Sequence, residues 1–228
     1  MKKYKNIYIN GCSFTRGHEL KKELTWPELL SKKLNVPLTN ESENGNSFES
    51  IIYHTLKTLS EINKIEDTLV VIGLTWPSRF MVRENHNTHN ITPGTARHLE
   101  RIYREKEVTT AGYMIIKKYV EYFKARVKYD NEIKHNLKFK MIEDLVLLQS
   151  FFKVNNINYK FIDFEMIGEK PCFQKPIYKK IDFDNIITFG DEYKVNGKYL
   201  PIYVDNTTHP TDVFCEKISE RIYEKLIH

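Results

Sequence analysis

Four short polar segments hold most of the residues that could move a proton or form a covalent bond. They are Gly11-Cys12-Ser13-Phe14-Thr15, Asn44-Gly45-Asn46-Ser47, Gly73-Leu74-Thr75-Trp76-Pro77-Ser78-Arg79 and Asp205-Asn206-Thr207-Thr208-His209-Pro210. Between them they offer a hydroxyl, an imidazole, carboxylate and amide side chains, and glycine-bearing turns whose backbone amides can point at an anion. That set suits acyl transfer, which needs a nucleophile, a base and donors for an oxyanion. Each residue also has a plainer use. Ser13 can cap the turn after a strand, Gly45 can serve a left-handed turn, and Pro210 after His209 can open a helix. Cys12 reads as a small buried filler, and Trp76 and Arg79 either line a pocket or pack and solvate.

Other chemistry fits less well. His86, His89 and His98 could form a metal cluster, but they lack helical spacing and a carboxylate in a matching position, so no metal is expected. Gly11 to Gly17 has the outline of a phosphate loop without its Gly-Lys-Ser/Thr ending. Arg79, Arg83, Arg97, Arg101 and Arg104 could meet an anion, though the spacing from 97 to 104 suits a solvated helix face.

The elements that would position these segments follow from periodicity. Lys5–Asn10 reads as a strand ending at Gly11, and Thr68–Gly73 as a central strand apolar on both faces. A helix begins near Thr25, with Thr25 and Glu28 spaced as a capping box and Pro27 in the first turn. It carries Leu29, Leu30 and Leu34. A short strand near Pro37–Asn40 follows, then a helix capped by Ser47 with Ile51, Ile52, Thr55, Leu56 and Leu59 on one side.

Residues 80–94 read as a polar loop. From about Thr95 to Val154 the pattern is helical, two helices broken near Tyr129-Asp130-Asn131, with Ile115, Ile116, Val120 and Phe123 meeting Leu145, Leu148 and Phe152 on a buried stripe. Asn158–Phe164 is a further strand, and 165–201 reads as irregular. The last helix, about Thr211 to Leu226, turns Val213, Ile218, Ile222 and Leu226 inward. This alternation predicts a single α/β domain over 1–228, with a central parallel sheet between helices and a helical insertion at about 95–154. Ligands of such sheets bind beyond the carboxyl ends of the strands, where all four polar segments should gather.

Composition sets the outer bounds. The 228 residues are 41% hydrophobic and 13% aromatic, with 9 Gly and 8 Pro, which excludes a low-complexity or disordered chain. The longest apolar runs fall far short of the roughly 20 residues of a membrane span, and the N-terminal stretch lacks the apolar core of an export signal. The net charge of +5 is mild and interleaved with acidic residues, so a nucleic-acid face is not expected. Three separated cysteines, Cys12, Cys172 and Cys215, suit a reducing compartment. The expectation is a cytoplasmic protein; oligomeric state is not written in the chain.

In order and spacing, the four segments resemble the blocks of SGNH (GDSL-type) hydrolases, a family of flavodoxin-like, three-layer α/β/α esterases and lipases. The resemblance runs from Gly11 to Pro210 on short motifs. It implies Ser13 as nucleophile, with Cys12 standing where the family often has Asp. Gly45 then supplies an oxyanion-hole amide beside that of Ser13, with Thr75 assisting, and His209 is the general base. Asn46, Trp76 and Arg79 would contact substrate. Two departures stand out. Thr75 occupies the place of an oxyanion-binding Asn, and Asn206 that of the Asp three residues before the base, with Asp205 adjacent but facing the other way along an extended segment.

The resemblance therefore implies a serine esterase working through an acyl-enzyme without cofactor or metal. Its substrate would be a small-molecule or carbohydrate ester, with small O-acyl groups on sugars as the family-level expectation. The altered blocks support a second reading, a catalytically weakened protein that keeps the fold to bind a ligand or partner. A nucleic-acid-associated protein rests on net charge alone.

Overall fold

A computed structural model describes residues 4–62, 64–84, 87–92, 118, 121–122, 124–125, 128, 136–164, 176–189, 194–195, 198–199 and 209–227. Its centre is a five-stranded, wholly parallel sheet. The strands are β1 (Asn6–Asn10), β2 (Leu38–Asn40), β3 (Thr68–Gly73), β6 (Asn158–Asp163) and β7 (Ile186–Thr188), in the order β2-β1-β3-β6-β7. β4 (Phe80–Glu84) and β5 (Asn87–Ile91) form a separate antiparallel pair. The helices are α1 (Ser13–Arg16), α2 (Trp26–Leu34), α3 (Phe48–Ser60), α4 (Asn136–Val154) and α5 (Asp212–Ile227).

The sheet order reverses direction between β1 and β3. The chain steps from β1 to β2 one way, then from β2 through β3 to β6 the other. Right-handed crossovers therefore put α2 on one face and α3 with α4 on the opposite face. α5 packs against α2, where Lys33 pairs with Glu220 at 3.6 Å. On the other face, Thr55 Oγ1 of α3 lies 3.3 Å from the Tyr8 hydroxyl, and the Ile51 carbonyl accepts the Asn10 amide. The Phe152 ring of α4 lies 5.1 Å from that of Tyr159. The result is a three-layer α/β/α sandwich.

β3 shows why the centre forms where it does. All its residues are buried, and Leu69, Val70, Val71 and Ile72 are each at most 1% exposed. A fully buried side chain of this kind contributes about 1.5–3 kcal/mol, so β3 is a large contributor to the core. Leu145, Leu148 and Phe152 are buried on α4 as the helical spacing predicts. Ile115, Ile116, Val120 and Phe123 lie outside the described residues.

Several expectations need correction. The 80–94 loop contains the β4–β5 pair, with Phe80 and Ile91 buried at its base. The irregular 165–201 stretch contains β7, which joins the sheet through pairing with β6. Thr25 stands at the N-cap of α2 but its side chain makes no capping bond. Its hydroxyl donates to the Lys22 carbonyl at 2.8 Å, and Glu28 pairs with Lys22 instead. On α5, Val213 is 51% exposed, while Phe214 and Cys215 beside it are buried. Among the described residues, no helix is long and apolar enough to cross a membrane.

Candidate active site

The turn leaving β1 is held from below by a buried polar cluster. Asn10 Nδ2 lies within hydrogen-bond reach of the Tyr8 hydroxyl (3.1 Å), the Ile51 carbonyl (3.3 Å) and Thr55 Oγ1 (3.2 Å), and its Oδ1 accepts the Gly11 amide at 2.7 Å. The Tyr8 hydroxyl donates to Glu41 at 2.7 Å; burial, with Glu41 alongside, drives its pKa far above the ordinary phenol value. Every polar atom named is paired, so the cluster stiffens the turn it supports.

That turn leads into α1, of which Ser13 is the first residue. Cys12 is buried, and its carbonyl accepts the Thr15 and Arg16 amides at 2.9 Å each. Gly17, at φ 75° in the left-handed region that glycine enters without penalty, ends the turn. The Gly17 and His18 amides return to the Ser13 carbonyl at 3.0 and 3.2 Å. Thr15 wedges between the ends of β1 and β3. A Cβ added at Gly11 or Gly73 would lie 2.2 or 2.1 Å from its Oγ1, so both positions must lack a side chain. The Thr15 hydroxyl has no hydrogen-bond partner among the described residues, and the residue is fully buried.

The second segment docks on the first. Gly45 takes φ 76°, and Asn46 behind it donates to the Gly11 carbonyl at 3.1 Å while its Oδ1 accepts from Asn90 at 2.9 Å. Asn46 is only 1% exposed, and its side chain joins the Gly11 turn to β5. Ser47 caps α3, accepting the Ser50 amide at 3.2 Å, and its own amide donates to Asn90 at 3.0 Å.

Thr75 is placed differently from its expected role. Its hydroxyl donates to the Asn46 carbonyl at 2.9 Å. A carbonyl only accepts, so the single Thr75 proton is committed there. The oxygen in turn accepts Arg79 Nη1 at 2.9 Å, and the same nitrogen lies 3.5 Å from the Asn46 carbonyl. In this arrangement Thr75 has no proton left for an oxyanion. Arg79 spans the Trp76 ring at 5.5 Å, and the Trp76 ring lies 5.3 Å from that of Phe14.

His209 reaches the same edge from the start of α5. Its ring centroid is 5.9 Å from that of Phe14 and 4.6 Å from that of His18. Both neighbours belong to the turn that begins with Ser13. Burial lowers the His209 pKa below 6.5, and the positive charges of His18 and Arg79 push the same way against Glu19. This direction favours the neutral imidazole, the form that can accept a proton. Asp205 and Asn206 lie outside the described residues.

Ser13, Gly45, Thr75, Trp76, Arg79 and His209 therefore share the carboxyl edge of β1 and β3, at the point where the strand order reverses. The backbone amides of Ser13 and Gly45 donate to none of the described residues. Sequence reasoning missed His18 and Asn90. His18 lies one turn beyond Ser13 at the end of the same segment, a position that could have flagged it. Asn90 was hidden in a stretch read as loop.

Beside His18 opens a polar groove of about 930 Å³, lined among others by Arg16, His18, Glu41, Glu43, Asn44 and His54. His86 and His98 lie outside the described residues, among which no group of three or more potential metal ligands occurs.

No protein-family model matches the chain, and no curated protein matches it significantly. Solved structures do share its fold. TesA superposes with a TM-score of 0.52 at 13% identity, covering 97% of both chains. The acetyl xylan esterase AlAXEase superposes with a TM-score of 0.52 at 12% identity, covering 96% of this chain and 98% of its own. The chain thus has an SGNH-like three-layer α/β/α fold.

Proposed function

We propose that this protein is an SGNH-like serine hydrolase that cleaves an ester through an acyl-enzyme. The observation that carries the reading is the placement of His209 against the Phe14 and His18 side chains of the Ser13 turn, at a switch point in the sheet. Ligands of open parallel sheets bind at that kind of crevice. The depressed pKa of His209 and the uncommitted amides of Ser13 and Gly45 support it further.

In the proposed reaction, Ser13 Oγ attacks the ester carbonyl while His209 takes its proton. The carbonyl π pair moves onto oxygen, and the Ser13 and Gly45 amides hold that oxyanion. Collapse reforms the carbonyl and breaks the bond to the alcohol, which leaves with the proton from His209. Water, deprotonated by His209, then attacks the acyl-enzyme, and collapse returns Ser13 with the acid as second product. These steps use only groups of the chain, the substrate and water. Asp205 or Asn206 would orient the imidazole.

The polar groove beside His18 favours a hydrophilic alcohol half of the substrate, and a carbohydrate ester meets that requirement. AlAXEase, which shares the fold, is named an acetyl xylan esterase.

The test is covalent. A fluorophosphonate should label wild-type protein at Ser13, located by peptide mass spectrometry, and Ser13→Ala should lose both the label and turnover of a short-chain nitrophenyl ester. Absence of label with intact ligand binding would replace this reading by the binding-protein alternative.

A further inference from the structure

We propose that Arg79, not Thr75, is the side-chain donor to the oxyanion, so that a guanidinium serves where a neutral amide would be expected. This rests on the serine-hydrolase reading above and goes beyond it in assigning a cationic group to the transition state.

The first ground is the hydrogen-bond bookkeeping at Thr75. Its only proton goes to the Asn46 carbonyl, and its oxygen faces Arg79 Nη1 at 2.9 Å. The group that stands at the Thr75 hydroxyl with protons to spare is therefore the guanidinium. Nη1 makes both of the side chain's hydrogen bonds to described residues, at 2.9 and 3.5 Å. Nη2 and Nε donate to none of those residues, and a guanidinium carries five N–H groups.

The second ground is position. Arg79 and Thr75 both hold the carbonyl of Asn46, the residue after Gly45, whose amide is the backbone donor on that side of the site. The guanidinium plane is backed by the Trp76 ring at 5.5 Å, and that ring meets Phe14, next to Ser13, at 5.3 Å. Arg79 is half-buried, so its field is only partly screened by water. That field is felt at His209, whose pKa Arg79 helps to lower. A charge-assisted bond to an alkoxide is roughly twice as strong as a neutral one, and the alkoxide exists only as the reaction proceeds. The cation thus favours the transition state over the neutral ester, which is the preference an oxyanion donor needs.

The test compares Arg79→Lys and Arg79→Gln on a neutral nitrophenyl ester, with Ser13 phosphonylation followed in parallel. For Arg79→Gln the expected loss in kcat is about 10²–10³-fold at nearly constant KM. For Arg79→Lys it is about ten-fold, because one ammonium cannot hold Thr75 and the oxyanion with the reach of a fork. The pH profile supplies a second readout. The charges acting on His209 are those of His18, Glu19 and Arg79. Arg79→Gln should therefore move the acid limb of kcat/KM to higher pH, and Arg79→Lys should move it less.

An unchanged kcat, or a loss confined to KM, in either variant overturns the proposal. If Arg79→Gln does not fold, Arg79→Lys alone decides by the same criterion. A wild-type protein that neither labels at Ser13 nor turns over would overturn the hydrolase reading and this proposal together. A wild type that labels beside an unaffected Arg79→Lys overturns only this one.

Discussion

The rings of His18 and His209 meet edge to face with their centroids 4.6 Å apart, and Asn44 Nδ2 lies 2.9 Å from His18 Nδ1. Two imidazoles this close resist being charged together. Burial is the larger reason that His209 stays neutral, and the cationic form of His18 adds to it. His18→Gln should therefore raise the pKa of His209, measured by titrating its ring protons by NMR, and shift the acid limb of kcat/KM upward. The stability consequence has a definite sign. The folded-state pKa lies below the 6.5 of the free side chain, so stability is full above pH 6.5 and declines as pH falls from there through the folded pKa. His209→Gln should flatten that decline in thermal unfolding. A His18→Gln protein with the wild-type His209 titration would show that the ring pair carries no coupling.

A steric prediction concerns the wedge at the strand ends. An alanine Cβ at Gly73 would lie 2.1 Å from Thr15 Oγ1 but 3.4 Å from Thr15 Cβ. Gly73→Ala should thus destabilise by about 1–3 kcal/mol, as overpacking does, and displace the turn that bears Ser13. Adding Thr15→Ala removes the offending atom and should restore most of the loss, a positive coupling in a double-mutant cycle. Gly11→Ala should not be rescued in this way, because its Cβ would still lie 2.7 Å from Thr15 Cβ. Denaturant titrations of the three single variants and two doubles decide it. Equal rescue of both glycine variants would contradict the wedge.

How much of this was legible beforehand depends on the range of the interactions involved. β3 could be read because its apolar residues are consecutive and both faces are buried. α3 could be read because Ser47 caps it locally and Ile51, Thr55 and Leu59 recur at helical spacing. β7 could not, because its three residues become a strand only by pairing with β6. The β4–β5 pair was obscured by Asn and His, residues with low strand propensity held there by cross-strand pairing. The site divides along the same line. The Ser13 turn and the left-handed Gly45 are local features. The commitment of Thr75 to Asn46 and of Asn46 to Asn90 joins residues 29 and 44 positions apart, which no local pattern encodes.

Away from the site, Asp182 ties α4 to the sheet. Its carboxylate accepts Lys153 Nζ at 2.8 Å, the Tyr159 hydroxyl at 2.9 Å and Asn185 at 3.0 Å. Burial alone would raise its pKa, but these bonds outweigh burial and hold it at about 2, below the ordinary 3.8. The stabilisation is therefore present above pH 3.8 and is lost as pH falls toward 2. Asp182→Asn should lower the melting temperature at pH 7 and bring the two proteins' stabilities together only below about pH 2. Parallel melting curves across that window would show that the carboxylate contributes nothing.

The last prediction isolates Thr75. It is fully buried, and its hydroxyl is both donor to the Asn46 carbonyl and acceptor from Arg79. Thr75→Val keeps the shape and removes both bonds, leaving the Asn46 carbonyl only the longer 3.5 Å approach of Arg79. An under-satisfied buried carbonyl costs about 1–3 kcal/mol, so the variant should unfold at lower denaturant by that amount. Turnover should fall as well, because the carbonyl that loosens belongs to the residue following Gly45. Thr75→Ser keeps the hydroxyl and should stay near wild type in both respects, apart from the small loss of a buried methyl group. Thr75→Asn is the informative contrast. If this position itself donated to an oxyanion, the longer amide should raise turnover. With the hydroxyl acting instead as a strut between Asn46 and Arg79, the bulkier side chain in a site of zero exposure should lower both stability and turnover. Denaturation midpoints and kcat for the three variants measure this directly, and a faster Thr75→Asn enzyme would return the donor role to position 75.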